Sequence, residues 1–130
     1  MTGKELAALA LKAREHAHAP YSRFTVGAAL EDDTGRVHTG CNIENATFGL
    51  TICAERVAVF KAVSRGVRKF RRIALAADTD ELVVPCGACR QILHEFCGDI
   101  EITLCNPRGK RETLRLSQIF PRPFHDEFFR

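Results

Sequence analysis

Two short segments carry the residue types best suited to chemistry: Cys53-Ala54-Glu55-Arg56 and Pro85-Cys86-Gly87-Ala88-Cys89-Arg90. Cys86 and Cys89 are three apart, so on a helix they project from one face and can share an ion. Both segments fall where a helix is expected to begin. There the unpaired backbone N–H groups and the positive end of the helix dipole stabilise a thiolate, and zinc binds thiolate rather than thiol. Cys53 supplies a third ligand from a different helix start. Three protein ligands leave one tetrahedral position open for water, the mark of a catalytic zinc. Glu55, two residues beyond Cys53, puts a carboxylate acid/base beside that water.

Other readings fit parts of this pattern. Cys86 and Cys89 alone also suit a redox dithiol. They could equally be half of a structural four-cysteine site completed by Cys41, Cys97 or Cys105, in which Glu55 has no role. A zinc ion with three thiolates carries a net negative charge and is a weak Lewis acid unless something offsets it. Arg56 shares the helix face of Cys53, and a guanidinium donating to a ligand sulfur restores that acidity. Arg90, four residues after Cys86, is a second candidate. The alternative for both arginines is a surface ion pair.

A third candidate pair is Asn42 and Glu44. Two apart at a strand end, they point to one side. An amide and a carboxylate together can donate to and accept from a sugar hydroxyl. The same residues also suit an Asx-type turn with a solvated glutamate.

The elements that must position these residues are legible as a series. Thr2 and Glu5 have capping-box spacing, and Leu6, Leu9, Ala10 and Ala13 follow at helical period, predicting a helix to about His16. Strands are expected at Thr25 to Glu31 and Arg36 to Cys41 around an Asp32-Asp33-Thr34-Gly35 turn. A loop follows over Asn42 to Leu50. A second helix begins near Thr51 to Cys53 and stops at Gly66. Next come a buried strand at Arg72 to Asp78 and a third helix from Pro85 to Gly98. Strands at Ile100 to Cys105 and Lys110 to Leu114 and a short helix at Leu116 to Phe120 close the chain. A hairpin followed by alternating helices and strands implies a mixed sheet with helices on both faces.

The bulk properties narrow the class. The 130 residues suit a single domain spanning 1–130. No apolar run is long enough to cross a bilayer, and the charged start lacks a signal peptide's apolar stretch. A cytoplasmic protein with no membrane contact is expected. The net charge of +3 is too small to argue for nucleic acid. The densest basic cluster, Arg65, Arg68, Lys69, Arg71 and Arg72, reads as a solvated helix end. Six cysteines in such a chain do not imply a disulfide framework, and Cys41, Cys97 and Cys105 are expected to be buried.

From Ala17 to Phe124 the chain resembles the small homotetrameric cytidine deaminases of nucleoside salvage. The motifs are Pro20-Tyr21-Ser22 with Phe24, Val26-Gly27-Ala28-Ala29, Gly40-Cys41-Asn42-Ile43-Glu44-Asn45, and the two cysteine segments, the second extended by Gln91. The resemblance implies an α/β fold, a three-layer α/β/α sandwich with a mixed β-sheet, and one Zn2+ per subunit. It implies hydrolysis of cytidine and 2′-deoxycytidine to the uridines and ammonia. Cys53, Cys86 and Cys89 would bind zinc and Glu55 would shuttle protons. Asn42 and Glu44 would hold the ribose, Phe24 would lie against the nucleoside, and the backbone near Ala54 would contact the base. Arg56 and Gln91 would support the ligands from behind. The family also implies active sites shared between subunits, with Phe124 supplied by a neighbour. The short, apolar, proline-interrupted stretch Ile119 to Phe124 and the nine phenylalanines favour association as well. Phe48 stands where the family often has tyrosine. A deaminase of another cytosine nucleoside or of a cytosine-containing antibiotic would share this chemistry. A nucleic-acid base deaminase is expected to carry histidine in place of Cys53 and a stronger basic track.

Overall fold

A computed structural model describes residues 1–129. Five strands form one sheet. They are β1 (Val26–Asp32), β2 (Val37–Cys41), β3 (Phe70–Ala77), β4 (Glu101–Cys105) and β5 (Arg111–Arg115). Their spatial order is β2-β1-β3-β4-β5. Only β3 and β4 are parallel; the other three pairings are antiparallel. The helices are α1 (Gly3–Ala13), α2 (Ala54–Ser64), α3 (Gly87–Cys97) and the short α4 (Leu116–Ile119). α3 makes the crossover that parallel β3 and β4 require.

The side-chain period of a strand sorts the core into two clusters. Ala28, Leu30, Ile73, Leu75, Ile102 and Leu104 pack with Ala58 and Val59 of α2 and Leu93 of α3. Ala29, Ala74, Ala76 and Cys105 pack on the opposite side with Leu6, Ala7 and Ala10 of α1. The result is the three-layer α/β/α sandwich. Its α1 side is lined with small residues, so that helix lies close to the sheet. A Cβ at Gly27 would collide with Ala10 O and come within 2.5 Å of Arg14 N. Gly40 does the same for the other layer: a Cβ there would strike Ala54 O and lie 2.6 Å from Ala58 N. The backbone of β2 thus rests directly on the first turns of α2.

Local sequence signals hold at the element ends. Thr2 and Glu5 form the capping box, with bonds of 3.0 and 3.1 Å. Past Ala13 the first helix tightens into a 3-10 turn over Arg14–His16. Gly66 and Gly98 have positive φ, 91° and 66°, just past α2 and α3, as helix stops do.

The basic cluster divides between two elements: Arg65 caps α2 and Arg68 donates to Val63 O at 2.8 Å, both exposed as at a solvated helix end, whereas Arg71 and Arg72 do not belong to it. Phe70 already belongs to β3, so Arg71 and Arg72 lie on a strand. Arg72 Nε stands 3.3 Å from a carboxylate oxygen of buried Glu31, and Arg71 Nη1 stands 3.6 Å from the other. Arg65 Nη1 donates to His38 Nδ1 at 3.2 Å. A guanidinium offers only donors. The neutral ring therefore accepts at Nδ1 and donates from Nε2 to Asp32 Oδ2, 2.9 Å away. Asp32 also accepts from Thr34 and Arg36, and its carboxyl is held far below the usual range, first by the Thr34 hydroxyl and then by His38. Of the cysteines expected to be buried, Cys105 is, whereas Cys41 and Cys97 are half-buried.

The loop from 78 to 86 leads into α3 and carries Cys86. Arg108, on the β4–β5 turn, holds its near end through Asp78 at 2.6 Å and Asp80 at 3.1 Å. Buried Asn106 donates to Thr79 O at 3.0 Å. Among the described residues no helix is long and apolar enough to cross a membrane.

Candidate metal centre and nucleoside cavity

Cys53 and Cys86 are the residues just before α2 and α3, and both have extended backbone there. Neither uses its side chain to cap its helix, which leaves both sulfurs available. Cys89 sits in the first turn of α3 and is fully buried. The three Sγ atoms lie within 4.8 Å of one another, with Cys53 and Cys86 3.9 Å apart. Tetrahedral zinc with bonds of about 2.3 Å separates its sulfurs by about 3.8 Å, so the donor set fits zinc. Among the described residues this group has three donors. Cys41, Cys97 and Cys105 do not complete a four-cysteine site with it.

Arg56 Nη2 donates to Cys53 Sγ at 3.4 Å. The Cys53 thiol is drawn down to about 5, first by the hydrogen bond from Cys89 and then by that guanidinium, against the effect of burial. The partner thiol of Cys89 is pushed up correspondingly, by its bond to Cys53 and by burial. Arg90 serves elsewhere: it donates to Pro85 O at 2.7 Å and to Ile119 O at 3.0 Å, tying the loop before Cys86 to α4.

Glu55 is the second residue of α2 and only 5% exposed. Burial raises its pKa above the ordinary carboxylate range, and the charge of Cys53 adds to the effect. A shift in this direction favours the proton-carrying form that a general acid/base needs.

A cavity of about 250 Å³ opens beside the sulfurs, with Cys53, Glu55 and Cys86 on its wall. Phe24, Asn42, Glu44 and Ala54 also line it. Asn42 is anchored by its own amide, which accepts from Val26 N at 2.8 Å and donates to Phe24 O at 2.7 Å. Glu44 accepts from Tyr21 N and Ser22 N, both at 3.0 Å, and from the Ser22 hydroxyl. Phe48 stands outside, 69% exposed, edge-on to Tyr21 at 5.3 Å.

Phe124 does not line this cavity. It is 57% exposed and packs on Phe128 and Phe129. Gln91 holds its backbone, donating to Phe124 O at 2.6 Å and accepting from Phe124 N at 3.1 Å. The amide of Gln91 is thus engaged with the C-terminal segment. Sequence reasoning gives no role to Val83 and Val84, which form part of the cavity wall. Their place directly before Pro85-Cys86 is the one signal that points to them.

Two helix starts converge on three thiols, beside a buried acid and a small-molecule cavity, an arrangement that suits a zinc-dependent hydrolytic enzyme. Residues 2–104 match the family model described as the cytidine and deoxycytidylate deaminase zinc-binding region. The chain belongs to that family. It is 48% identical to a cytidine deaminase of Sporosarcina psychrophila over 98% of this chain and 94% of that one. It is 50% identical to a cytidine deaminase of Halalkalibacterium halodurans over 91% and 90% of the two chains. Among solved structures, the cytidine deaminase of Burkholderia pseudomallei superposes with a TM-score of 0.92 at 43% identity, covering 95% of this chain and all of that one.

Proposed function

We infer that the chain acts as one zinc-dependent deaminase domain, hydrolysing cytidine and 2′-deoxycytidine to uridine and 2′-deoxyuridine with release of ammonia. The observation that carries this reading is the nearly sealed Glu55 carboxyl at the head of α2, beside three thiols and facing the cavity. Cys53, Cys86 and Cys89 would hold a zinc ion, whose Lewis acidity would bring the pKa of a water towards 7. Glu55 takes the proton of the attacking water and delivers it to N3 of the cytosine ring as the water oxygen adds to C4. It then carries the proton of the new C4 hydroxyl to the amino group, and the C4–N bond breaks to release ammonia as the C4 carbonyl forms. Arg56 offsets the charge of the thiolates at Cys53. Asn42 and Glu44 hold the sugar, Phe24 lies against the nucleoside, and the backbone at Ala54 meets the base.

The wider setting is pyrimidine salvage in the cytoplasm, with no membrane or nucleic-acid partner. The enzyme works as a homotetramer in which Phe124 reaches a neighbour's site. Its exposure, and its separation from the cavity of its own chain, support that reading. Light scattering should give four times the chain mass, and a fully active monomer would exclude a shared site. The central experiment is an absorbance assay for the conversion of cytidine to uridine by the purified protein. Turnover that a zinc chelator abolishes is expected; zinc-loaded protein inert towards cytidine and deoxycytidine would overturn the assignment.

A further inference from the structure

The turn that brings Phe24 to the cavity has an unusual backbone. Arg23 has φ +60° and is, among the described residues, the one non-glycine residue in the left-handed region. Such a conformation persists when its surroundings over-determine it. Here they do. Arg23 N donates to Ala19 O at 2.9 Å, and Phe24 N turns back to donate to Ser22 Oγ at 3.0 Å. The Ser22 hydroxyl in turn donates to Glu44 Oε2. Phe24 O accepts from Asn42 Nδ2, and Asn42 Oδ1 accepts from Val26 N. A continuous hydrogen-bonded strap therefore runs from Glu44 through Ser22 and Phe24 to Asn42. All four of these residues line the cavity.

We propose that Ser22 is a positioning residue for sugar recognition, its hydroxyl fixing Glu44 so that one carboxylate lone pair is left for a substrate hydroxyl. The inference rests on the sugar-holding role of Glu44 given above. It follows from a valence count. A carboxylate offers about four acceptor positions. Tyr21 N, Ser22 N and Ser22 Oγ occupy three. The hydroxyl does two things at once: its proton fills the Oε2 position, and its lone pair satisfies Phe24 N. Without it Oε2 loses its anchor while Oε1 stays held by Tyr21 N and Ser22 N, Phe24 N–H loses its partner, and the left-handed turn loses a restraint. The same hydroxyl is the largest cause holding the Glu44 carboxyl below its ordinary range, which keeps Glu44 an acceptor.

The test is steady-state kinetics on zinc-loaded wild type, Ser22→Ala, Ser22→Thr and Glu44→Gln. The substrates are cytidine and 2′,3′-dideoxycytidine, and zinc content is measured alongside. Ser22→Ala should raise KM for cytidine about tenfold, the effect of one hydrogen bond to a charged group. Its kcat should stay within about threefold and its zinc content unchanged, and KM for dideoxycytidine should move little. Ser22→Thr keeps the hydroxyl and should recover most of the loss. If Glu44→Gln raises KM for cytidine while Ser22→Ala does not, the role of Ser22 is overturned and that of Glu44 stands. If wild type and Glu44→Gln treat the two nucleosides alike, the sugar reading itself fails. A Ser22→Ala enzyme that loses kcat and zinc together, or a threonine variant as impaired as the alanine one, also overturns the proposal.

Discussion

The two ends of the cavity are built by different means. At the metal end every functional residue lies at or within four residues of a helix start, on elements clamped to the sheet. Cys53 and Glu55 are fixed by α2, whose first turns touch the backbone of β2 at Gly40. Cys86 and Cys89 are fixed by α3. At the end proposed to take the sugar, Phe24 and Glu44 belong to connecting segments and are held by side chain–backbone hydrogen bonds. Rigid elements position the thiols and the buried acid, while hydrogen-bonded turns position Phe24, Asn42 and Glu44 on the cavity wall. Damage at the first end should therefore appear in zinc content and kcat. Damage at the second should appear in KM.

The largest expected effect breaks the metal end outright. Cys53→Ala removes the thiol to which Arg56 donates. Zinc should fall well below about one ion per chain and turnover should drop to background, as elemental analysis and the cytidine assay will report. Full zinc retention would remove Cys53 from the ligand set. Glu55→Gln sharpens the contrast within the same end. It should keep zinc and fold yet lose roughly 10²- to 10⁴-fold in kcat, the usual range for a general acid/base; near-normal turnover would falsify the proton-shuttle role. At the sugar end, Asn42→Ala leaves Val26 N–H and Phe24 C=O unpaired. It should raise KM for cytidine about tenfold and lower stability by about 1–3 kcal/mol, with zinc unchanged. An Asn42→Ala enzyme that loses zinc would show that the two ends are not separable. Arg108→Ala is the smallest perturbation. Its ion pairs are exposed and worth little, so kcat/KM should stay within about twofold of wild type. A larger drop would mean that the 78–86 loop depends on that clamp to place Cys86.

The same contrast governs what could be read in the sequence. The metal end was legible because its information is local. Cys53 to Glu55 and Cys86 to Cys89 are short intervals, and Gly66 and Gly98 mark where their helices stop. The sequence order of elements and the three-layer class were legible for the same reason. The interactions at the sugar end join residues far apart in the chain. Ser22 meets Glu44 across 22 positions, and Phe24 meets Asn42 across 18. No periodicity encodes either meeting. Arg90 illustrates the limit. Its helical spacing from Cys86 suggested a ligand contact, but strand and helix packing bring Ile119 O within reach instead. The basic cluster is legible only in its first half, Arg65 and Arg68 at the end of α2. Whether Arg71 and Arg72 are solvated depends on β1 pairing with β3, which places Glu31 opposite Arg72.

Gly40 has a consequence for how this scaffold can be altered. Because β2 meets α2 through bare backbone, enlarging that position would be transmitted straight to Cys53 and Glu55. Yet the chain leaves β2 one residue later and enters the segment that carries Asn42 and Glu44 on the cavity wall. The segment beyond Asn42 is tied to the same centre by a second route, since Ile43 and Ile52 exchange backbone hydrogen bonds of 3.0 Å one residue before Cys53. Alterations on either side of Asn42 are therefore felt at the thiols, through Gly40 on one side and through Ile52 on the other.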